Sequence, residues 1–251
     1  MSRILYALFL ALTAVSCSET YSIQGSSSIA TLDGSKLYLR TIKNNELKAI
    51  DSCDVVHGQF HFNGSIDTTR MCNLCMDDES MLPVVLEQGE ITIRIDNMRQ
   101  NVSGTPLNDA LYDFLDHHNR LSNQRQELAT KQSQMILEGI DEQTINRQLT
   151  VEAAQIAQQE DSLVTNFIVE NFDNVLGPGV FMMITSGFQY PVLTPQIEDI
   201  MSKATRKFKN DPYVKDYYET ATENERRMQG FDTPADVANA QTEQQHADTI
   251  Q

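Results

Sequence analysis

The chain reads as an α+β protein: an N-terminal antiparallel β-sandwich or open barrel, followed by an all-helical segment with a long antiparallel hairpin. Three observations predict this. From Tyr21 to about Gly104, short runs alternate apolar and polar residues between turn residues, Gly, Asn, Asp and Ser, as strands joined by turns do. After Val102-Ser103-Gly104 the apolar period lengthens to that of a helix. A capping residue is followed by proline at Thr105-Pro106, Thr194-Pro195 and Asp211-Pro212. Each pair marks a helix start, because proline at the first helical position gives up no needed N–H. The expected organisation is a signal peptide at 1–16, a lipid-anchored N-terminus at 17–20, a β domain at 21–104, a helical domain at 105–228 and a disordered acidic tail at 229–251.

The strand runs are KLYLRTI (36–42), ELKAI (46–50), GQFHFNG (58–64), MLPVVLE (81–87) and EITIRID (90–96), with RMCNLCM (70–76) also extended. Alternation sends Phe60 and Phe62 to one face and His61 to the other, so the phenylalanines belong to the core.

In the first helix Leu107, Phe114, Leu121, Leu128 and Met135 recur every seventh residue, but their companions are Leu111, His118, Arg125 and Gln132. The apolar seam therefore narrows to one residue after the second turn. Gly139 suits the helix end. A second helix starts near Asp141, with Ile145, Leu149, Ile156, Leu163 and Phe167 inside and glutamines outside. Two such helices form an antiparallel hairpin about 45 to 50 Å long at 1.5 Å per residue, and its tip is expected to project. Helix stability comes mainly from a packed face. The seam beyond Leu121 is thus expected to be the more exposed part, completed by a second copy or an envelope partner.

The stretch from Asn174 to Pro191 is the most apolar beyond the leader, and predicts a short buried helix around Val180 to Thr185. Two more helices are expected near 195–209 and 212–228. From Gln229 the chain has little apolar content and no Lys or Arg, a composition that does not order itself.

The N-terminus carries an address. MSRILYALFLALTAVSC places one cation, Arg3, before an uncharged apolar run and small residues, the layout of a secretory signal peptide too short to span a bilayer. Ala14-Val15-Ser16-Cys17 resembles a bacterial lipobox, with Ala14 in place of the more usual Leu. Cleavage before Cys17 would leave it bearing a thioether-linked diacylglycerol, and more than one acyl chain anchors stably. The expected location is the cell envelope, lipid-anchored to a membrane, with the outer membrane facing the periplasm preferred. A formal net charge of −16, without a basic stripe, argues against nucleic acid.

Chemistry is sparse. Beyond Cys17 there remain Cys53, Cys72 and Cys75, an odd number that permits one internal disulfide at most. Cys72 and Cys75 form a C-x-x-C, but in a strand an offset of three puts them on opposite faces about 10 Å apart, beyond disulfide reach. Asp77, Asp78 and Glu79 oppose a thiolate. Zinc would need Cys53, His57 or His61 to complete its ligands, and His57 and His61 are too far apart along a strand to share an ion. His117 and His118 read as part of a helix surface. No Walker, nucleophile-elbow, zinc-protease or dinucleotide fingerprint occurs. The reading is of a protein that is not an enzyme and has neither metal nor cofactor.

The order Ile50-Asp51-Ser52, Gly58 to Gly64 as Gly-x-Phe-x-Phe-x-Gly, Leu86-Glu87-x-Gly89 and Val102-x-Gly104 resembles the N-terminal domain of unknown function 4369 of Bacteroidetes lipoproteins. The helical stretch NFIVENFDN (166–174) is similar to the helical region beyond that domain in the family. In many relatives a thioredoxin-like domain with Trp-Cys-x-x-Cys comes next. This chain has no tryptophan, so the resemblance implies the accessory half without the catalytic half. It imports no catalytic residue. The residues leave two readings: a lipid-anchored envelope protein with a non-enzymatic binding or assembly role, or an accessory of periplasmic thiol-disulfide chemistry using Cys53, Cys72 and Cys75.

Overall fold

The structure, a computed structural model, describes residues 19–43 and 46–230. The predicted leader, the lipidation site at Cys17 and the tail from 231 onward lie outside the described residues. The chain divides after Asp113 into two compact units.

The first unit holds eight described strands: β1 (Glu19–Ser27), β2 (Lys36–Lys43), β3 (Glu46–Asp54), β4 (Gln59–Ile66), β5 (Arg70–Met76), β6 (Glu79–Leu86), β7 (Gly89–Ile95) and β8 (Gln100–Ser103). They form two four-stranded sheets, ordered β4-β1-β7-β8 and β3-β2-β5-β6, and neither closes into a barrel. Alternation fixes which residues face inward: Ile23, Leu39, Phe62, Leu74, Val84 and Ile93 are essentially inaccessible, whereas His61 is exposed.

One pairing departs from the antiparallel expectation. β1 and β7 run parallel, in register from Tyr21 opposite Gly89 to Ser27 opposite Ile95. Parallel neighbours cannot be joined by a tight turn and need a long crossover. Here the chain leaves β1, builds the second sheet and β4, and returns as β7. Local alternation does not encode which strands meet after such an excursion.

A long helix α1 (Pro106–Leu137) supplies its first turns to the first unit and the rest to the second. The second unit continues with α2 (Glu142–Glu170), α3 (Leu176–Thr185), α4 (Pro195–Lys203), α5 (Arg206–Lys209) and α6 (Pro212–Met228). Asp141 caps α2 by accepting from the Thr144 N–H at 3.0 Å. Thr194 and Asp211 cap α4 and α6 as their sequence predicts. The helix expected over 195–209 is two helices, because Thr205 adopts an extended backbone and caps Phe208. The buried helix starts nearer the N-terminus than expected, at Leu176, with Pro178 tolerated in its first turn, where an N–H has no partner to lose.

Phe172, Phe181, Phe208 and Tyr217 pack edge to face or tilted in this unit's core, with Phe181 and Phe208 fully buried. The Tyr217 hydroxyl donates to the Val192 carbonyl at 3.0 Å and accepts from the Val192 N–H at 3.1 Å, which holds the chain ahead of α4 against α6. Among the described residues no helix is long and apolar enough to cross a membrane.

Candidate functional site

Two polar side chains are deeply buried where β6 meets α1. Asn108 is 0% and Glu87 8% exposed. A helix start leaves N–H groups without partners. Glu87 Oε1 accepts two of them, from Leu107 at 2.9 Å and Asn108 at 3.1 Å. This corrects the expectation that the Thr105 hydroxyl is the cap. Thr105 Oγ1 instead accepts from Asn108 Nδ2 at 2.8 Å.

The Asn108 amide behaves like one more residue of the sheet. Its Oδ1 accepts from the Val85 N–H at 2.9 Å and its Nδ2 donates to the Val85 carbonyl at 2.7 Å. Four residues further along α1, the Tyr112 hydroxyl donates to the Pro83 carbonyl at 3.1 Å. β6 is an edge strand. Pro83 has no N–H to offer a further strand, and the outward groups of Pro83 and Val85 are already bonded, so this edge is closed.

The motif residues that carry the resemblance are architectural in the same way. Gly104 has φ +102, and a Cβ there would lie 2.5 Å from the Glu90 carbonyl oxygen, so only glycine fits. Gly64 gives way to the Tyr21 ring, which approaches its Cβ position to 2.8 Å. The Tyr21 hydroxyl donates to Asp51 at 3.4 Å, linking the two sheets. Burial, then the Asp51 charge, pushes the Tyr21 phenol up to about 12.

All three described cysteines are free thiols. Cys72 lies opposite Val84 and shares the inward face of Leu74, while Cys75 lies opposite Tyr38 on the other face. Both are buried, at 2% and 1% exposure. Burial pushes the Cys72 thiol up to about 12 despite the opposing pull of Arg70. Burial raises Cys75 as well, with Arg40 opposing and Asp78 adding to the rise.

Cys53, on β3, is half-buried at the rim of a shallow depression of 420 Å³ lined in part by Gln24, Gln59 and His61. Burial raises its thiol, and Asp51 and Asp54 raise it further, against a hydrogen bond from the His61 backbone. Neutral pH therefore leaves all three protonated, the poor state for nucleophilic attack. No group of three or more His, Cys, Asp or Glu among the described residues is arranged to hold a metal ion.

A cavity with a recognisable chemistry lies along the hairpin. Phe114 stacks on Phe167 with ring centroids 4.4 Å apart, and the His118 ring leans on Phe114 at 5.9 Å. At the turn Met135 and Ile145 are buried, while the neighbouring Ile136 and Leu137 are exposed. Between these contacts Leu121 and Leu128 are only half-buried, as expected for a narrow seam. Arg125 reaches across to Glu160 at 2.8 Å, and Lys131 to Glu152 at 2.5 Å. The other carboxylate oxygen of Glu160 is buried with no partner among the described residues. Gln132 is exposed.

A groove of 780 Å³ runs here between α1 and α2. Leu128 and Ile156 line it together with Gln124, Gln134, Gln155 and Gln159, and with Glu127, Thr130, Lys131 and Glu152. By sequence alone these glutamines only face water. The available signal is spacing: 124 and 134 on one helix, and 155 and 159 on the other, fall on the sides that meet.

The first unit is thus an open two-sheet sandwich whose turns and edge caps serve its own architecture. Residues 21–111 match a family described as a domain of unknown function (DUF4369). No curated protein matches the chain.

Proposed function

We propose that this is a lipid-anchored cell-envelope protein that binds or assembles with another macromolecule without turning over a substrate, and that the hairpin groove is its binding surface. The observation that carries this reading is the groove itself. Its lining includes four exposed glutamines, Gln124, Gln134, Gln155 and Gln159. Half-buried Leu128 and buried Ile156 sit between them. Such a surface offers apolar area and paired donors and acceptors to a partner. The lipobox-like Ala14-Val15-Ser16-Cys17 supports an anchor, with the outer membrane facing the periplasm as the favoured site.

Amide exchange on the dilute, lipid-free protein tests the binding surface. Residues 121–134 and 152–159 should exchange much faster than 108–112. Uniformly slow exchange out to Gly139 at every concentration would sink the reading. Cell fractionation tests the anchor: Cys17→Ser should leave the membrane fraction or remain unprocessed, and normal partition into detergent would refute it.

A further inference from the structure

We infer that the occupant of the hairpin groove is the same groove of a second copy, the two hairpins packing about a two-fold axis as a four-helix bundle. The inference rests on the reading of the hairpin as a binding surface and names its partner. A two-fold interface brings one surface against itself, so its groups must complement their own kind. The glutamine amide does this, since it carries both donors and an acceptor. Four of the ten lining residues are glutamines: Gln124, Gln134, Gln155 and Gln159.

The charges of the groove are self-complementary too. Lys131 pairs with Glu152 across the two helices, and Glu127 lies one turn before Lys131 on α1 and lines the same groove. A two-fold axis near Ala129 with antiparallel α1 helices sets Glu127 of each copy opposite Lys131 of the other. The apolar contribution is of the same kind: Leu128 is half-buried in one hairpin and is covered further when two are apposed. A nucleic acid or an anionic surface gains nothing from a groove holding two carboxylates and one ammonium.

Sedimentation velocity over a concentration series tests this on the full chain carrying Cys17→Ser, so that no lipid associates the copies. A monomer–dimer equilibrium is expected. The double variant Gln124→Glu/Gln134→Glu, checked for unchanged helical circular dichroism, should weaken dimerisation about tenfold or more, since that axis sets position 124 of each copy opposite position 134 of the other and the four added carboxylates face one another in pairs. Mixing it with Gln124→Lys/Gln134→Lys should restore a mixed dimer. A wild-type monomer throughout the series, or a glutamate variant that dimerises unchanged, overturns the inference. If that monomer still shows fast exchange along 121–134, the second copy is excluded and the binding surface stands. Uniformly slow exchange removes both.

Discussion

The two halves of α1 are held by opposite means. Over 108–112, Asn108, Leu111 and Tyr112 are buried, and every polar group among them that faces β6 has a partner in Pro83, Val85 or Glu87. Over 121–134 the same helix is tied to α2 by two ion pairs and a thin apolar seam, with exposed glutamines along a groove. The difference is one of dielectric and of alternatives. A buried amide without its partner loses solvation that nothing replaces, whereas an exposed ion pair can exchange its partner for water. The first arrangement fixes geometry, and the second leaves a surface free for association.

Substitutions in each half put this contrast at risk. The largest effect is expected from Asn108→Ala, which strands the buried Val85 N–H and carbonyl, and should cost about 3 kcal/mol or more in denaturant unfolding. Gly104→Ala comes next. A side chain at φ +102 against the Glu90 carbonyl should cost about 2 kcal/mol, seen as a lowered Tm.

Glu87→Gln keeps an acceptor for Leu107 and Asn108 but removes the negative charge at the start of α1, so about 1 kcal/mol is expected in the same unfolding measurement. The smallest effect belongs to the distal half. Lys131 and Glu152 are both more than a third exposed. Lys131→Gln should therefore lower monomer stability by less than about 1 kcal/mol in dilute solution. If it proved as costly as Asn108→Ala, the distal half would be a fixed structural element and the contrast would fail.

The thiols report on burial in the same way. With Cys72 pushed up to about 12, its thiolate is scarce at pH 8, and mass-spectrometric alkylation of the native protein should label Cys53 first and Cys72 last. Rapid labelling of Cys72 before unfolding would contradict its placement in the core.

Much of the fold was legible in the residues. Period-two alternation located the strands and put Phe60 and Phe62 inside, because a strand's neighbours must face opposite ways. Thr194-Pro195, Asp211-Pro212, Gly139 and Asp141 marked helix ends, because caps act within one turn. The Leu86-Glu87-x-Gly89 motif pointed to Glu87 without revealing its role. Thr105 looked like the cap, and by local rules it should have been.

Features that depend on neighbours a few positions apart are therefore written in the chain: strand and helix periods, their ends, and the narrowing of the α1 seam after its second turn. Features that depend on residues brought together from afar wait for the fold. The parallel β1–β7 pair, the capture of α1 by Glu87 from 20 residues upstream, the use of Asn108 as a strand edge against Val85, and the meeting of Gln134 with Gln155 around one groove are of this kind. A hydrogen-bonding group is satisfied by whatever partner folding places beside it, and that choice is made by the packing of whole elements.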